Sequence, residues 1–262
     1  MKYLDLTLPT APENLACDEA LLDSCEEEFS HEILRFWEPR EYFVVVGYAN
    51  HVAREVDRTA CDAERVPVLR RCSGGGTVLQ GPGCLNYSLI LNIEENPPLQ
   101  NITSANRFIM ERNRAAMEAL VRSADLQIGV SGEALDPRRS GDRRSVAISI
   151  EGHTDLAIGG RKFSGNAQRR RRRFLLFHGT FLLRFDLARI GRFLPLPSKQ
   201  PAYRAGRAHR DFLTNLPAPA EAVKAALQHA WGAHDRLEIV PHDTITALAR
   251  DKYATGGWSL KF

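Results

Sequence analysis

From residue 145 to 185 the chain reads as four short runs, SVAISIEG, TDLAIGG, RKFSGNAQ and FLLFHGTFLLRF, joined by glycine-bearing or charged turns. Runs this short, rich in Val, Ile, Leu and Phe and broken by glycine at each end, are strands rather than helices. Strands that follow one another through tight turns pair antiparallel, so the pattern predicts a meander. A meander with one apolar face cannot stand alone in water, and helices elsewhere in the chain must cover it.

The remaining elements fit that requirement. MKYLDLTL, EILRFWE and YFVVVGYA read as strands, VPVLRR enters a glycine turn as a strand, and TVLQ and LNYSLILNI continue a sheet. ENLACDEALLDSCEEE sets Leu15, Leu21 and Leu22 with Ala16 and Ala20 on a helical stripe, and a second helix is predicted from Glu55 to Glu64. SANRFIMERNRAAMEALVRS is a long amphipathic helix carrying Phe108, Ile109, Ala116 and Leu120. Residues 131–144 read as a mobile loop, and two further helices are predicted near Pro219–Trp231 and Thr244–Tyr253. The expected fold class is therefore α/β of the α+β type. Residues 1–262 would form one large domain, with mixed, mostly antiparallel sheets flanked by helices.

Composition removes several function classes. A chain of 262 residues with 44% apolar side chains can bury one substantial core. A formal net charge of +3 is too small to argue for nucleic acid, and no apolar stretch approaches the 18 residues of a membrane span. The N-terminus lacks the apolar core of a signal peptide, so the expected location is the cytoplasm. Five cysteines (Cys17, Cys25, Cys61, Cys72, Cys84) without a CxxC pair read as reduced thiols.

Two segments carry chemistry. The chain has 29 arginines and six lysines, and Lys162, in IGGRKFSGNAQ, is the only lysine between Lys2 and Lys199. A chain that supplies its positive charge as arginine places a compact ammonium there where a point charge is wanted, which makes Lys162 the candidate active-site residue. The alternative is an ordinary strand-end lysine reaching to solvent. In RRCSGGGTVLQGPGC, Arg70 and Arg71 close an apolar run and Gly74, Gly75 and Gly76 follow, ahead of a second Gly81–Pro82–Gly83 turn. Successive glycines let backbone N–H groups approach a ligand closely, as phosphate sites require, and the arginines can neutralise its oxygens. The segment is neither a Walker loop nor a dinucleotide fingerprint, and a glycine triplet by itself is more often a tight turn.

RRCSGGGTVLQGPGCLNYSLIL, then TDLAIGGRKFSGNAQ and HGTFLLRFDL, resemble in order and spacing the lipoate-protein ligase A family, within the biotin and lipoate ligase and acyltransferase group. NLACDEALL, LRFWEPREYFVVVGYAN and KYATGGWSL extend the resemblance over most of the chain. It implies the biotin/lipoate ligase catalytic-domain fold. It also implies ATP-dependent activation of lipoate or octanoate to acyl-AMP, with Mg2+, and transfer to a lysine of a lipoyl-domain or glycine-cleavage H-like acceptor protein. Lys162 would stabilise charge on the acyl carbonyl and phosphate oxygens. Arg70, Arg71, Ser73, Gly74, Gly75, Gly76 and Thr77 would line the acyl and phosphate site, and Asn86 would offer it an amide. Thr154 and Asp155 would contact the nucleotide, with Asp155 on magnesium. Ser164 and Gly165 would let the Lys162 strand approach the ligand. His178 would pack or orient others, and Arg169, Arg170, Arg171, Arg172 and Arg173 would steer an acidic acceptor.

Departures from the family's pattern keep alternatives open. Gln80 stands where a histidine is common, and the additional C-terminal domain of many family ligases is not expected here, which implies a small accessory subunit. The rival within the fold is an octanoyl or lipoyl acyltransferase working through a cysteine thioester. In the relatives that resemble this chain its nucleophile lies about 13 residues before the GRK step. That count reaches Ala147, which leaves Cys72 and Cys84 as substitutes. A reading from another class is a non-catalytic anion or nucleic-acid binding module built on the glycine loop and Arg169–Arg173, although five arginines in a strand point to both faces and fit an exposed hairpin turn better.

Overall fold

The computed structural model describes residues 1–28, 31–131 and 147–262. Eight strands form a large sheet in the order β11-β1-β2-β6-β10-β9-β8-β7. Their ranges are β1 Lys2–Asp5, β2 Ile33–Trp37, β6 Cys84–Asn92, β7 Ile148–Glu151, β8 Asp155–Ile158, β9 Arg161–Arg170, β10 Phe174–Leu182 and β11 Asp235–Arg236. β1 pairs parallel with β2 and β11, and every other pairing in this sheet is antiparallel. The β7–β10 meander follows the predicted runs. β3 (Phe43–Val46), β4 (Val68–Arg70) and β5 (Val78–Gln80) form a separate three-stranded sheet in the order β4-β3-β5. The TVLQ run therefore does not continue the sheet of β6, because the Gly81–Gly83 turn redirects the chain between them.

Nine α-helices are described: α1 Ala11–Glu27, α2 Val52–Glu55, α3 Arg58–Glu64, α4 Ile102–Ser131, α5 Ile190–Phe193, α6 His209–Phe212, α7 Ala220–Trp231, α8 His242–Leu248 and α9 Gly256–Ser259. α1 starts where Thr10 and Glu13 form a reciprocal capping box, satisfying two N–H groups that the first turn leaves unpaired. The single helix predicted over Glu55–Glu64 is two helices. Val56 is extended and Asp57 caps the second helix by accepting from the Ala60 N–H. α4 runs beyond the predicted Ser123 to Ser131, and apart from that residue the loop predicted over 131–144 lies outside the described residues. α8 continues into a π-helical turn, Ala249–Tyr253.

Period-two alternation divides the large sheet between two cores. Leu175, Phe177 and Phe181 of β10 with Leu85, Tyr87, Leu89 and Leu91 of β6 pack toward α4 and α7. Phe174, Leu176 and Ile90 join the opposite core with Leu15, Leu21 and Leu22 of α1. Continuing along that second face, the apolar residues give way to His178 and Thr180 on β10 and to Ser88 and Asn86 on β6. A strand face that turns polar while still covered marks the place where the sheet borders a site. No described helix is long and apolar enough to cross a membrane.

Candidate active site

Where the second face turns polar, a cavity of about 610 Å3 opens between β6, β9, β10, the small sheet and the segment 195–213. Lys162 stands on its wall near the start of β9, with its side chain a quarter exposed. Its Nζ lies 2.8 Å from Asp155 Oδ1, and Tyr203 Oη donates to Asp155 Oδ2 at 2.7 Å. An ammonium has three N–H donors, so Asp155 fixes one and leaves two for ligand oxygens.

A β-bulge produces this placement. Leu156 pairs with Ser164 and Ala157 with Lys162, which leaves Phe163 as the extra residue. Phe163 is fully buried beside Phe181. The irregularity brings Lys162 and Gly165 together although they are three apart, an odd spacing that a regular strand would send to opposite faces. A Cβ on Gly165 would sit 2.5 Å from Lys162 Nζ, so the glycine clears space for the lysine itself. Across the edge of β9, Thr214 N donates to the Lys162 carbonyl at 2.9 Å and anchors the segment that closes the cavity.

The glycine segment forms an arch opposite. Gly75 has φ +86°, a conformation that side chains rarely adopt. The arch is held from within by Arg71, whose Nη2 donates to the carbonyls of Gly74 (2.6 Å) and Gly76 (2.7 Å). Burial pushes the Arg71 guanidinium down to about 10. Arg71, Gly75, Gly76 and Thr77 border the cavity; Ser73 and Gly74 do not. Arg70 is elsewhere. Consecutive strand residues face opposite ways, and its guanidinium donates to the carbonyls of Gly47, Tyr48, Asn50 and Trp258, tying the C-terminal segment to the small sheet.

The cavity floor is a closed ring of amides and a hydroxyl. Gln80 Nε2 donates to Thr180 Oγ1 (2.7 Å), Thr180 Oγ1 to Asn86 Oδ1 (2.6 Å), and Asn86 Nδ2 to Gln80 Oε1 (3.0 Å). Thr154 borders the cavity but its hydroxyl donates to the Asn166 carbonyl, pinning the β7–β8 turn to β9. Ser164 and Gly165 both border the cavity. Asp155, the expected magnesium contact, has one oxygen on Lys162 and the other on Tyr203, and no group of three His, Cys, Asp or Glu residues among those described could hold a metal. These residues do not build a magnesium site of their own.

All five cysteines are buried and none borders the cavity. Burial pushes the Cys72 thiol up to about 11 and the Cys84 thiol up to about 12, far from the thiolate that attacks a thioester. Ala147 lies just ahead of β7, exposed and outside the cavity. Arg169–Arg173 lie at the far end of β9 and in the turn after it. Sequence reasoning missed Tyr203 and Asp18, both on the cavity or against its residues, and placed His178 only as a packing or orienting residue. For His178 and Thr180 a signal existed in FLLFHGTFLL, where two polar residues fall in succession on one face of an otherwise apolar strand. Tyr203 lies in a segment without periodicity and had none.

Comparison with known proteins bears on the family and the fold. The family model of the lipoyl protein ligase A/B catalytic domain matches residues 10–228. An octanoyltransferase, LipM, of Carboxydothermus hydrogenoformans is 26% identical, with 100% of this chain and 98% of that protein covered. A lipoate-protein ligase A structure bound with ATP superposes with a TM-score of 0.70 at 25% identity, over 99% of each chain. The bi-partite lipoate protein ligase of Thermoplasma acidophilum, solved in a study of that ligase and its E2 lipoyl domain, superposes with a TM-score of 0.73 at 22% identity, over 99% of this chain and 95% of that one.

Proposed function

This chain belongs to the lipoyl protein ligase A/B catalytic-domain family, and from that premise we propose that it activates lipoate or octanoate with ATP and passes the acyl group to a lysine of an acceptor protein. The acid's carboxylate oxygen attacks the α-phosphorus and pyrophosphate leaves. The acceptor's lysine amine then attacks the acyl carbonyl of the mixed anhydride, and AMP leaves. Both steps place negative charge on oxygens beside one carbon and one phosphorus, where a preorganised cation is worth most. Lys162, held by Asp155, which Tyr203 in turn holds, with two N–H groups left for ligand oxygens, is that cation in this reading. The arch supplies backbone N–H groups and Arg71 a buried positive charge.

The observation that carries activation by ATP is the sealing of every cysteine away from the cavity. The ATP-bound ligase neighbour supports the same donor. The octanoyltransferase relative supports a second reading, in which the octanoyl group comes from a carrier thioester without ATP. The acceptor in both is a lipoyl-domain or H-like protein, for which the archaeal study with its E2 lipoyl domain is the supporting parallel, and a small accessory subunit is part of the proposal.

The test uses the purified chain, with and without candidate accessory subunits, and an acceptor domain. Release of pyrophosphate that depends on both lipoate and ATP, followed by acyl-acceptor, is the expected result. Acceptor octanoylation from an acyl-carrier protein without ATP, with acyl-enzyme trapped on Cys72 or Cys84, would replace this reading by the transferase.

A further inference from the structure

From the cavity wall, where Asp18 and His178 lie, to Ser73 of the arch, side chains from four distant parts of the chain form one hydrogen-bonded line. Asp18 of α1 is buried, with Oδ1 paired to the buried Arg35 and Oδ2 3.1 Å from His178 Nδ1. His178 Nε2 lies 2.6 Å from Ser73 Oγ, and Arg71 Nε reaches the same oxygen at 3.1 Å.

The end groups fix the outer bonds, and a neutral His178 ring fixes the one between them. A guanidinium can only donate, so Ser73 Oγ accepts from Arg71 and Asp18 Oδ1 accepts from Arg35. Burial pushes the Asp18 carboxyl up, but Arg35 and His178 outweigh it and hold the group below the ordinary carboxylate range, so Asp18 is an acceptor at both oxygens. His178 therefore carries hydrogen on Nδ1, and in the neutral ring Nε2 accepts the Ser73 hydroxyl. The donors run Arg71 to Ser73 to His178 to Asp18.

The residue types are those of a nucleophile, a base and the group that orients it. The placement is wrong for that role. Ser73 is 1% exposed and does not border the cavity, and Arg71 takes an acceptor site on the oxygen that would have to attack. What the line does reach is the arch. Arg71 and Ser73 belong to it, Asp18 and His178 belong to the large sheet and α1, and the two meet through no strand pairing.

We propose that Asp18 and His178 are positioning residues, which act through Ser73 to set the glycine arch at a fixed distance from Lys162. The use of lipoate as a probe rests on the proposed function; the other readouts do not. In the ligand-free protein, 15N spectra should show His178 as the Nδ1–H tautomer. The Tyr48 amide, which donates to the Ser73 carbonyl at 2.8 Å, should exchange about tenfold faster in Ser73→Ala and in His178→Leu, a factor equal to about 1.4 kcal/mol, while β6 amides keep their rates. The double variant should exchange no faster than either single one, because one line is cut once or twice. Lipoate Kd should weaken about tenfold in His178→Leu and recover in His178→Gln, whose amide can both donate and accept. If His178→Leu does not fold, Ser73→Ala carries the test. An Nε2–H tautomer, unchanged Tyr48 exchange, or effects that multiply in the double variant would each overturn the proposal. Failure of the wild type to bind lipoate would count against the proposed function and leave the ligand-free readouts to decide the positioning role.

Discussion

Near its start β9 carries one lysine, and at its end and in the following turn it carries five consecutive arginines, roughly 23 Å away at about 3.3 Å per residue. The arginines are the denser charge in the sequence, yet three of the five have carboxylate neighbours. Arg169 donates to the Cys72 carbonyl and lies 3.7 Å from Glu19; Arg171 pairs with Asp23 at 2.6 Å; Arg173 lies 3.7 Å from Glu94 and its backbone N–H donates to Glu26. Arg170 donates to the carbonyls of Leu99 and Gln100, and Arg172 is exposed. At the other end, Arg161, Arg204 and Arg207 donate to backbone carbonyls, and none has a carboxylate partner among the described residues. Among the described residues, charge without a carboxylate partner therefore remains on Arg170 and Arg172 as well as on Arg161, Arg204 and Arg207, and of these Arg204 borders the cavity that Lys162 lines. A run of like charge on paper therefore measures supply, while the packing around it decides what is left over for a ligand.

Removing Lys162 tests that contrast most directly. Lys162→Ala should form acyl-adenylate about 10²–10³ times more slowly at nearly unchanged Tm, since it deletes a preorganised charge without emptying a core. Pyrophosphate release at wild-type rate by a folded variant would end the distinction between the two ends.

The next largest effect belongs to the arginine end and concerns stability. Arg169→Ser with Arg171→Ser should lower Tm by roughly 4–8 °C, about 2 kcal/mol, because Glu19 is buried and loses two of its cationic neighbours. Transfer to the acceptor should stay within about twofold of wild type at low salt. A clear loss of transfer at unchanged Tm would instead make this turn a docking surface.

Tyr203→Phe sharpens the Lys162 end. It removes one of two groups that hold Asp155, and adenylate formation should fall about fivefold, about 1 kcal/mol, the usual net worth of a single hydrogen bond. No change would show that Asp155 needs Lys162 alone.

The smallest effect is acid-linked. Burial pushes the Glu19 carboxyl up, but Lys252, Tyr253 and Arg169 outweigh it and hold it below the ordinary range. Its stabilisation is therefore complete above the unfolded carboxylate value of about 4.3 and is lost as pH falls through the lower folded value. Thermal unfolding of wild type and Glu19→Gln from pH 7 to pH 2.5 should show two Tm values that converge in acid. A gap that stays constant would remove Glu19 from the account of the arginine end.

Much of the fold was readable from local pattern. The meander, the N-terminal and C-terminal helices and the glycine arch each rest on properties of a few neighbouring residues: period-two alternation, helical stripes, and a φ that glycine alone adopts freely. Lys162 stood out by composition, and the motifs around it identified the family. The break at Val56–Asp57 was hidden because an aspartate cap competes with helix continuation on nearly equal terms.

The sequence by itself determined where strands and turns fall and which residue types gather near a ligand, since backbone geometry and side-chain chemistry act over a few residues. The tertiary structure decided which of Arg70 and Arg71 faces the cavity, that Gly165 makes room for Lys162, that Asp18, Ser73 and His178 form one line, and that Arg169, Arg171 and Arg173 meet carboxylates. Asp18 and His178 are 160 residues apart, and Ser73 and His178 are 105 apart. Contacts at such separations depend on how sheets and helices close over one another, and no local preference of either partner encodes them.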